Sequence, residues 1–175
     1  CLTRLGLLNR PIVNEWALAL LDQLTKANPD LVSNPRSFEY LSTIDIDQAW
    51  KYKHKGFLRT VGGICRDLIK RDWAELKERI AVLRGRKSDP FYNFDWQDEI
   101  HQQKGNNTQY FVQIGKRGKF DKNTSISKTP FQNLIKRLDS AYSVGIHPSY
   151  RSNTEHALLK SEHHIFENIV AHNVH

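Results

Sequence analysis

The segment Phe38-Glu39-Tyr40-Leu41-Ser42-Thr43-Ile44-Asp45-Ile46-Asp47 decides how the chain is read. Phe38, Tyr40, Leu41 and Ile44 are residues that suit a pleated, largely buried strand, and the strand delivers an acidic pair at its end. Asp45 and Asp47 stand two positions apart, so a continuing strand points both to one side. Two carboxylates held together repel unless a proton or a cation intervenes, and a metal ion removes that repulsion. The plainer alternative is that one of them caps the turn after the strand.

Outward from this segment, strands alternate with helices. Upstream, Pro11 opens a helical pattern carried by Val13, Trp16, Leu20, Leu21 and Leu24, which Asn28 and Pro29 end. Downstream, the basic run Lys51, Lys53, His54 and Lys55 leads into Phe57, Leu58, Val61, Ile64, Leu68 and Ile69, a helical spacing weakened by Gly62 and Gly63. Asp72 with Glu75 predicts a capped helix with Trp73, Leu76, Ile80 and Leu83 on one face. This helix pair, within about 48–90, reads as an insertion or lid.

A short helix through Phe94, Trp96 and Ile100 closes at Gly105, and a strand over 108–114 follows. The Gly- and Lys-rich loop 115–123 resembles a phosphate cradle in composition alone, without a Walker or dinucleotide pattern. Thr129, Pro130 and Gln132 predict a capping box before Phe131, Leu134, Ile135 and Leu138. A strand over 143–146 presents His147, and Leu158, Ile165, Phe166, Ile169 and Val170 form a last amphipathic helix. The expected class is α/β with parallel strands.

Composition limits the partners. The chain has 175 residues, 39% apolar and 10% aromatic, enough for one ordinary core and too many for disorder. Its 26% charged residues and negative mean hydropathy argue against an integral membrane protein, and no apolar run nears the roughly 20 residues of a membrane span. Two cysteines, Cys1 and Cys65, fit neither a disulfide framework nor a zinc knuckle and point weakly to a reducing, cytoplasmic setting. The net charge of +7 suits a solvated surface or an anionic partner such as an acidic glycan or nucleic acid. A Cys start, the lack of Met and the plain ending Asn173, Val174, His175 suggest a piece of a longer chain. Residues 1–32 read as a helical lead-in or the close of a preceding domain, and 33–175 as the main domain.

In open α/β folds, function gathers at the carboxyl ends of the strands, where Asp45, Asp47 and His147 are expected. One carboxylate and one imidazole as ligands, with a second carboxylate as base, form a common start for catalytic zinc. The order of motifs resembles the NodB-type polysaccharide deacetylases. Ser42-Thr43-Ile44-Asp45-Ile46-Asp47 is similar to their acidic motif, Tyr110-Phe111-Val112 to their second strand, and Gly145-Ile146-His147-Pro148-Ser149 to their histidine motif.

The resemblance covers 38–175. It implies the front half of a distorted (β/α) barrel and a metal-dependent hydrolase that removes N-acetyl groups from a carbohydrate, with zinc as the expected metal. It further implies Asp45 as general base and Asp47 and His147 as metal ligands. Trp50, Lys53 and Tyr150 are the expected substrate contacts.

Two departures stand out. Ile46 separates aspartates that the family usually keeps adjacent, and Arg151 occupies the place of the usual second histidine, where a protonated guanidinium cannot ligate. The third ligand is therefore expected beyond residue 175, ahead of His163 or His164, and the chain by itself is expected to be inactive. Two rivals remain. One is a D-x-D phosphohydrolase of the haloacid type, which wants Thr or Val where Ala49 stands, or a D-x-D glycosyltransferase. The other is a non-catalytic glycan- or nucleic-acid-binding module.

Overall fold

The computed structural model describes residues 2–31, 38–105 and 107–172. The chain divides into two compact units, Cys1–Glu39 and Tyr40–His175. The first holds a 3-10 turn, Leu2–Leu5, and helix α1, Ile12–Ala27, which starts directly after Pro11 and ends at Asn28. Residues 33–37, with which the main domain is expected to begin, lie outside the described residues. No helix among the described residues is long and apolar enough to cross a membrane.

The second unit is mixed α/β. Its three strands, β1 (Leu41–Ile46), β2 (Asn107–Gln113) and β3 (Ser143–His147), form a parallel sheet in the order β1-β2-β3. Helices α2 (Phe57–Ile69), α3 (Trp73–Leu83) and α4 (Phe94–Lys104) separate β1 from β2. Helix α5 (Thr129–Asp139) separates β2 from β3, and α6 (His156–Val170) follows. The register aligns Ile44 with Tyr110 and Val144, and Ile46 with Val112 and Ile146. These apolar rows join Phe131, Leu134, Ile135 and Leu138 of α5 and Phe166 and Ile169 of α6 in one core.

Three local readings change. The strand expected to be largely buried is an edge strand in which Ile46 is the buried position, while Phe38 and Tyr40 precede it and are exposed. Thr129 is the first helical residue of α5 and not its cap, and Gln132 Nε2 donates to the Ile126 carbonyl at 3.0 Å. On α3 the inward positions are Leu76, Arg79 and Val82, with Trp73 exposed, because a buried ion pair draws Arg79 inward. Arg79 Nε donates to Asp67 Oδ2 of α2 at 2.7 Å, and the Arg79 guanidinium lies 4.7 Å from the Tyr52 ring centre. Asp72 does cap α3, accepting from the Glu75 N–H at 3.0 Å.

The loop that follows the acidic motif is organised by Asp89. Its buried carboxylate accepts from the backbone N–H groups of Lys51 (2.7 Å), Tyr52 (2.9 Å), Lys53 (3.0 Å) and Phe91 (3.1 Å). Burial pushes the Asp89 pKa up, but these donors outweigh it and hold the group below the usual aspartate value. Asp89→Ala strands several buried donors at once, so urea unfolding should show a stability loss of about 3 kcal/mol or more, with Asp89→Asn losing less.

Candidate functional site

Parallel pairing carries the site. Gln113 of β2 is in register with His147 of β3, and Asp47 follows Ile46 at the end of β1. Side chains alternate along each strand, so Asp47, Gln113 and His147 form one row across the carboxyl edge. Asp45, Phe111 and Gly145 form the row behind it. Asp47 Oδ1 lies 3.4 Å from His147 Nδ1, with the two side chains 62% and 39% exposed. The contact lacks hydrogen-bond geometry. Nδ1 is shielded from solvent and has no hydrogen-bond partner among the described residues.

A cleft of about 420 Å³ opens over this pair, walled by Gln48, Gln113, Phe120, Asp121 and Tyr150. Tyr150 is exposed, and its ring centre stands 4.3 Å from that of Phe120, so two aromatic rings form one rim. Asp45 lies elsewhere. It is exposed and lines a neighbouring cleft with Asp47, Gln48, Asn93 and Phe94. Asp47 and Gln48 are shared by the two clefts.

Trp50 does not serve as a platform for a sugar ring. It is buried in the core, stacked on Tyr92 at 5.9 Å and edge-on to His54 and Phe131, so its surfaces are taken up by packing. Lys53 is partly buried and its backbone serves the Asp89 turn. Neither lines the cleft over Asp47 and His147, so of the three expected substrate contacts the structure brings Tyr150 alone to it. Arg151 pairs with Glu155 at 2.7 Å, in keeping with its exclusion as a ligand. His163 and His164 sit on α6. Among the described residues no group of three or more His, Cys, Asp or Glu side chains is placed to hold one ion.

Sequence reasoning missed the residues that hold the strand ends together. Asp121 Oδ1 accepts from Gln113 Nε2 (2.8 Å) and the Tyr150 N–H (3.0 Å). Asn123 Nδ2 donates to the carbonyls of Gln113 (3.3 Å) and Gly115 (2.6 Å), and the Thr124 N–H donates to the Asp47 carbonyl (3.3 Å). The loop that resembles a phosphate cradle in composition alone is thus a strap fastened to the ends of all three strands. A side chain at position 115 would run into Ser149 and Glu162, so glycine permits the close passage of β2's exit against β3's. Glu162, also buried, accepts the Ser149 N–H at 3.1 Å. The signal was present as Asp and Asn within a Gly-rich loop, but their partners are dictated by the sheet.

Lys55 donates to Gln48 Oε1 at 3.0 Å. Burial first, then Arg59, pushes its pKa down to about 8. The unfolded lysine titrates near 10.4. Between those values the folded chain binds fewer protons than the unfolded one, so stability rises with pH, while below about pH 8 the cost of the charge is fully present.

Two outcomes are expected. Lys55→Gln melts above wild type at pH 7, and the gap narrows toward pH 10 in thermal scans at matched ionic strength. Asp121→Ala lowers stability by about 2–3 kcal/mol in denaturant titrations, because Gln113 and the Tyr150 N–H lose a buried acceptor, and Asp121→Asn loses less.

No protein-family model matches the chain, and comparison with characterised proteins and with solved structures finds no match.

Proposed function

We propose that the chain carries part of a metal-dependent amide hydrolase of the polysaccharide deacetylase type, with Asp47 and His147 as two of the metal ligands. The observation that carries this reading is the convergence of the Asp47 carboxylate on a solvent-shielded imidazole nitrogen that has no hydrogen bond among the described residues. A nitrogen and a carboxylate oxygen that approach to 3.4 Å suit a borderline cation such as zinc, which takes each at about 2.1 Å. A bound divalent ion would supply Lewis acidity toward an amide carbonyl and lower the pKa of a coordinated water.

The chain's own residues account for the rest of the reading. Asp45, one register row behind and open to the adjoining cleft, is assigned the proton of the attacking water. Phe120 and Tyr150 offer a sugar ring an apolar wall beside the pair, and Gln48 and Gln113 offer amide donors and acceptors to its hydroxyls. The Asp121 and Asn123 strap keeps the three strand ends from drifting apart, as ligands on separate strands require. The NodB-type assignment rests on the motif order, and the barrel closure it implies belongs to the same proposal.

Zinc binding read by equilibrium dialysis tests the ligand assignment. Asp47→Asn and His147→Gln should each weaken zinc by about 100-fold or more, beyond the 10–100-fold typical of changes to groups around the ligands. In a chain extended to the whole catalytic domain, Asp45→Asn should retain zinc while slowing acetate release from N-acetylglucosamine oligomers by about 10²–10⁴-fold. Zinc affinity indifferent to both ligand substitutions would remove the metal centre. Undiminished acetate release in Asp45→Asn would remove Asp45 from the role of base.

A further inference from the structure

A third cavity, of about 520 Å³, lies between the loop after β1, helices α2 and α3, and Arg117 of the strap. Six cationic side chains line it, and its one carboxylate is Glu75. Three of the six are committed within the protein. Lys51 pairs with Glu75 at 2.8 Å, Arg79 with Asp67 at 2.7 Å, and Arg66 with Asp67 at 3.2 Å. The other three, Lys55, Arg59 and Arg117, have no carboxylate within ion-pair reach among the described residues. Lys55 has the Gln48 amide oxygen as its partner.

These cations work against one another. Burial and then Arg117 pull the Arg59 pKa down, and burial and then Arg59 act the same way on Lys55. Cations on an ordinary solvated face spread apart, whereas here two guanidinium groups and an ammonium are drawn around one hollow whose one carboxylate among the described residues, Glu75, is already paired with Lys51.

The hollow is also maintained at a cost. Gly62 and Gly63 both stand inside the continuous helix α2, where each glycine costs about 1 kcal/mol relative to alanine. Gly63 is accounted for, since a Cβ there would lie 2.6 Å from the Arg79 guanidinium. At Gly62 a Cβ would meet nothing within 4 Å, so the protein's own packing does not demand glycine there; it borders the open space.

We infer that this cavity is a binding site for a phosphoryl group, held by Lys55, Arg59 and Arg117. Guanidinium forks match the oxygens of a phosphoryl group two at a time, and a dianion answers three uncommitted positive charges better than a single carboxylate does. Gln48 walls both this cavity and the cleft over Asp47 and His147, and Asp47 is its chain neighbour, about 3.8 Å away along the backbone. A sugar bearing the group near its acylated nitrogen would then span both sites. That consequence, unlike the phosphoryl site, rests on the amide-hydrolase reading.

The test is calorimetric titration of the full chain, stripped of metal and in metal-free buffer, with inorganic pyrophosphate. Saturable one-site binding is expected, weakened about tenfold or more by Arg59→Ala and by Arg117→Ala and unchanged by Lys160→Ala at an exposed position of α6. Gly62→Leu alters no charge and projects a side chain into the open space that the glycine borders, so it should abolish binding while the protein melts no lower than wild type. N-acetylglucosamine 1-phosphate and inorganic phosphate titrated side by side tell a sugar substituent from free phosphate.

Absence of saturable binding, or binding that survives Gly62→Leu, overturns the site. Malonate bound as tightly as pyrophosphate overturns the phosphoryl assignment. In the Asp47→Asn/His147→Gln double variant wild-type affinity is expected; its loss would place the anion at the strand-end pair and overturn the cavity assignment. A failed zinc titration leaves this result intact, so the two readings fail separately.

Discussion

Three parallel strands present their carboxyl ends to one edge, and the hydrogen bonds of the 115–124 strap hold those ends together. Asp121 is central, since one buried carboxylate oxygen takes a donor from β2 and another from the turn after β3. Asn123 and Thr124 extend the fastening to β2's exit and to Asp47. A sheet of three strands has an edge on both sides and little area to resist splaying, so local polar bonds carry much of the precision. The 3.4 Å approach of Asp47 to His147 depends on that fastening as much as on the strand register.

The α2–α3 insertion uses the same economy of buried polar groups. Asp67 is buried, which by itself raises its pKa, yet the hydrogen bonds from Arg79 and Arg66 bring it below the ordinary value. Tyr52 donates to Glu78 at 2.9 Å and is pushed up to about 12, chiefly by burial. Lys51 bridges Glu75 and Glu78, tying the loop after β1 to α3. Charges satisfied in this way hold the helix pair over the loop, whereas Lys55, Arg59 and Arg117 are left facing the hollow. One framework therefore offers two chemically different surfaces that meet at Gln48, a paired carboxylate and imidazole on one side and unpaired cations on the other.

Much of the α/β pattern was legible because it rests on local periodicity. The 3.6-residue spacing of Phe131, Leu134, Ile135 and Leu138 marks α5, and Gly105 in the left-handed region ends α4 as its position suggests. Asp47 and His147 were legible as strand-end residues with complementary chemistry. Trp50 misled for a physical reason, since an aromatic beside acidic and basic residues reads the same whether its ring faces solvent or Tyr92 and Phe131. The face of α3 read from Trp73, Leu76, Ile80 and Leu83 shifted likewise, because Arg79 looks solvent-directed until Asp67 of the neighbouring helix is seen beneath it.

The sequence by itself determined the succession of strands and helices, the sign of the charge on each loop, and which residues could serve as ligand, base or cation. These follow from side-chain chemistry and from spacing within a dozen residues. The tertiary structure alone decided that Asp47 and His147, a hundred positions apart in the chain, share one row, that Asp45 opens into a neighbouring cleft, and that Asp121 and Asn123 serve as a strap. It alone brought Arg117 to the cations of α2. Such contacts arise from parallel pairing across long crossovers, where register is set by burying one face of the whole sheet, and no local window of residues encodes that sum.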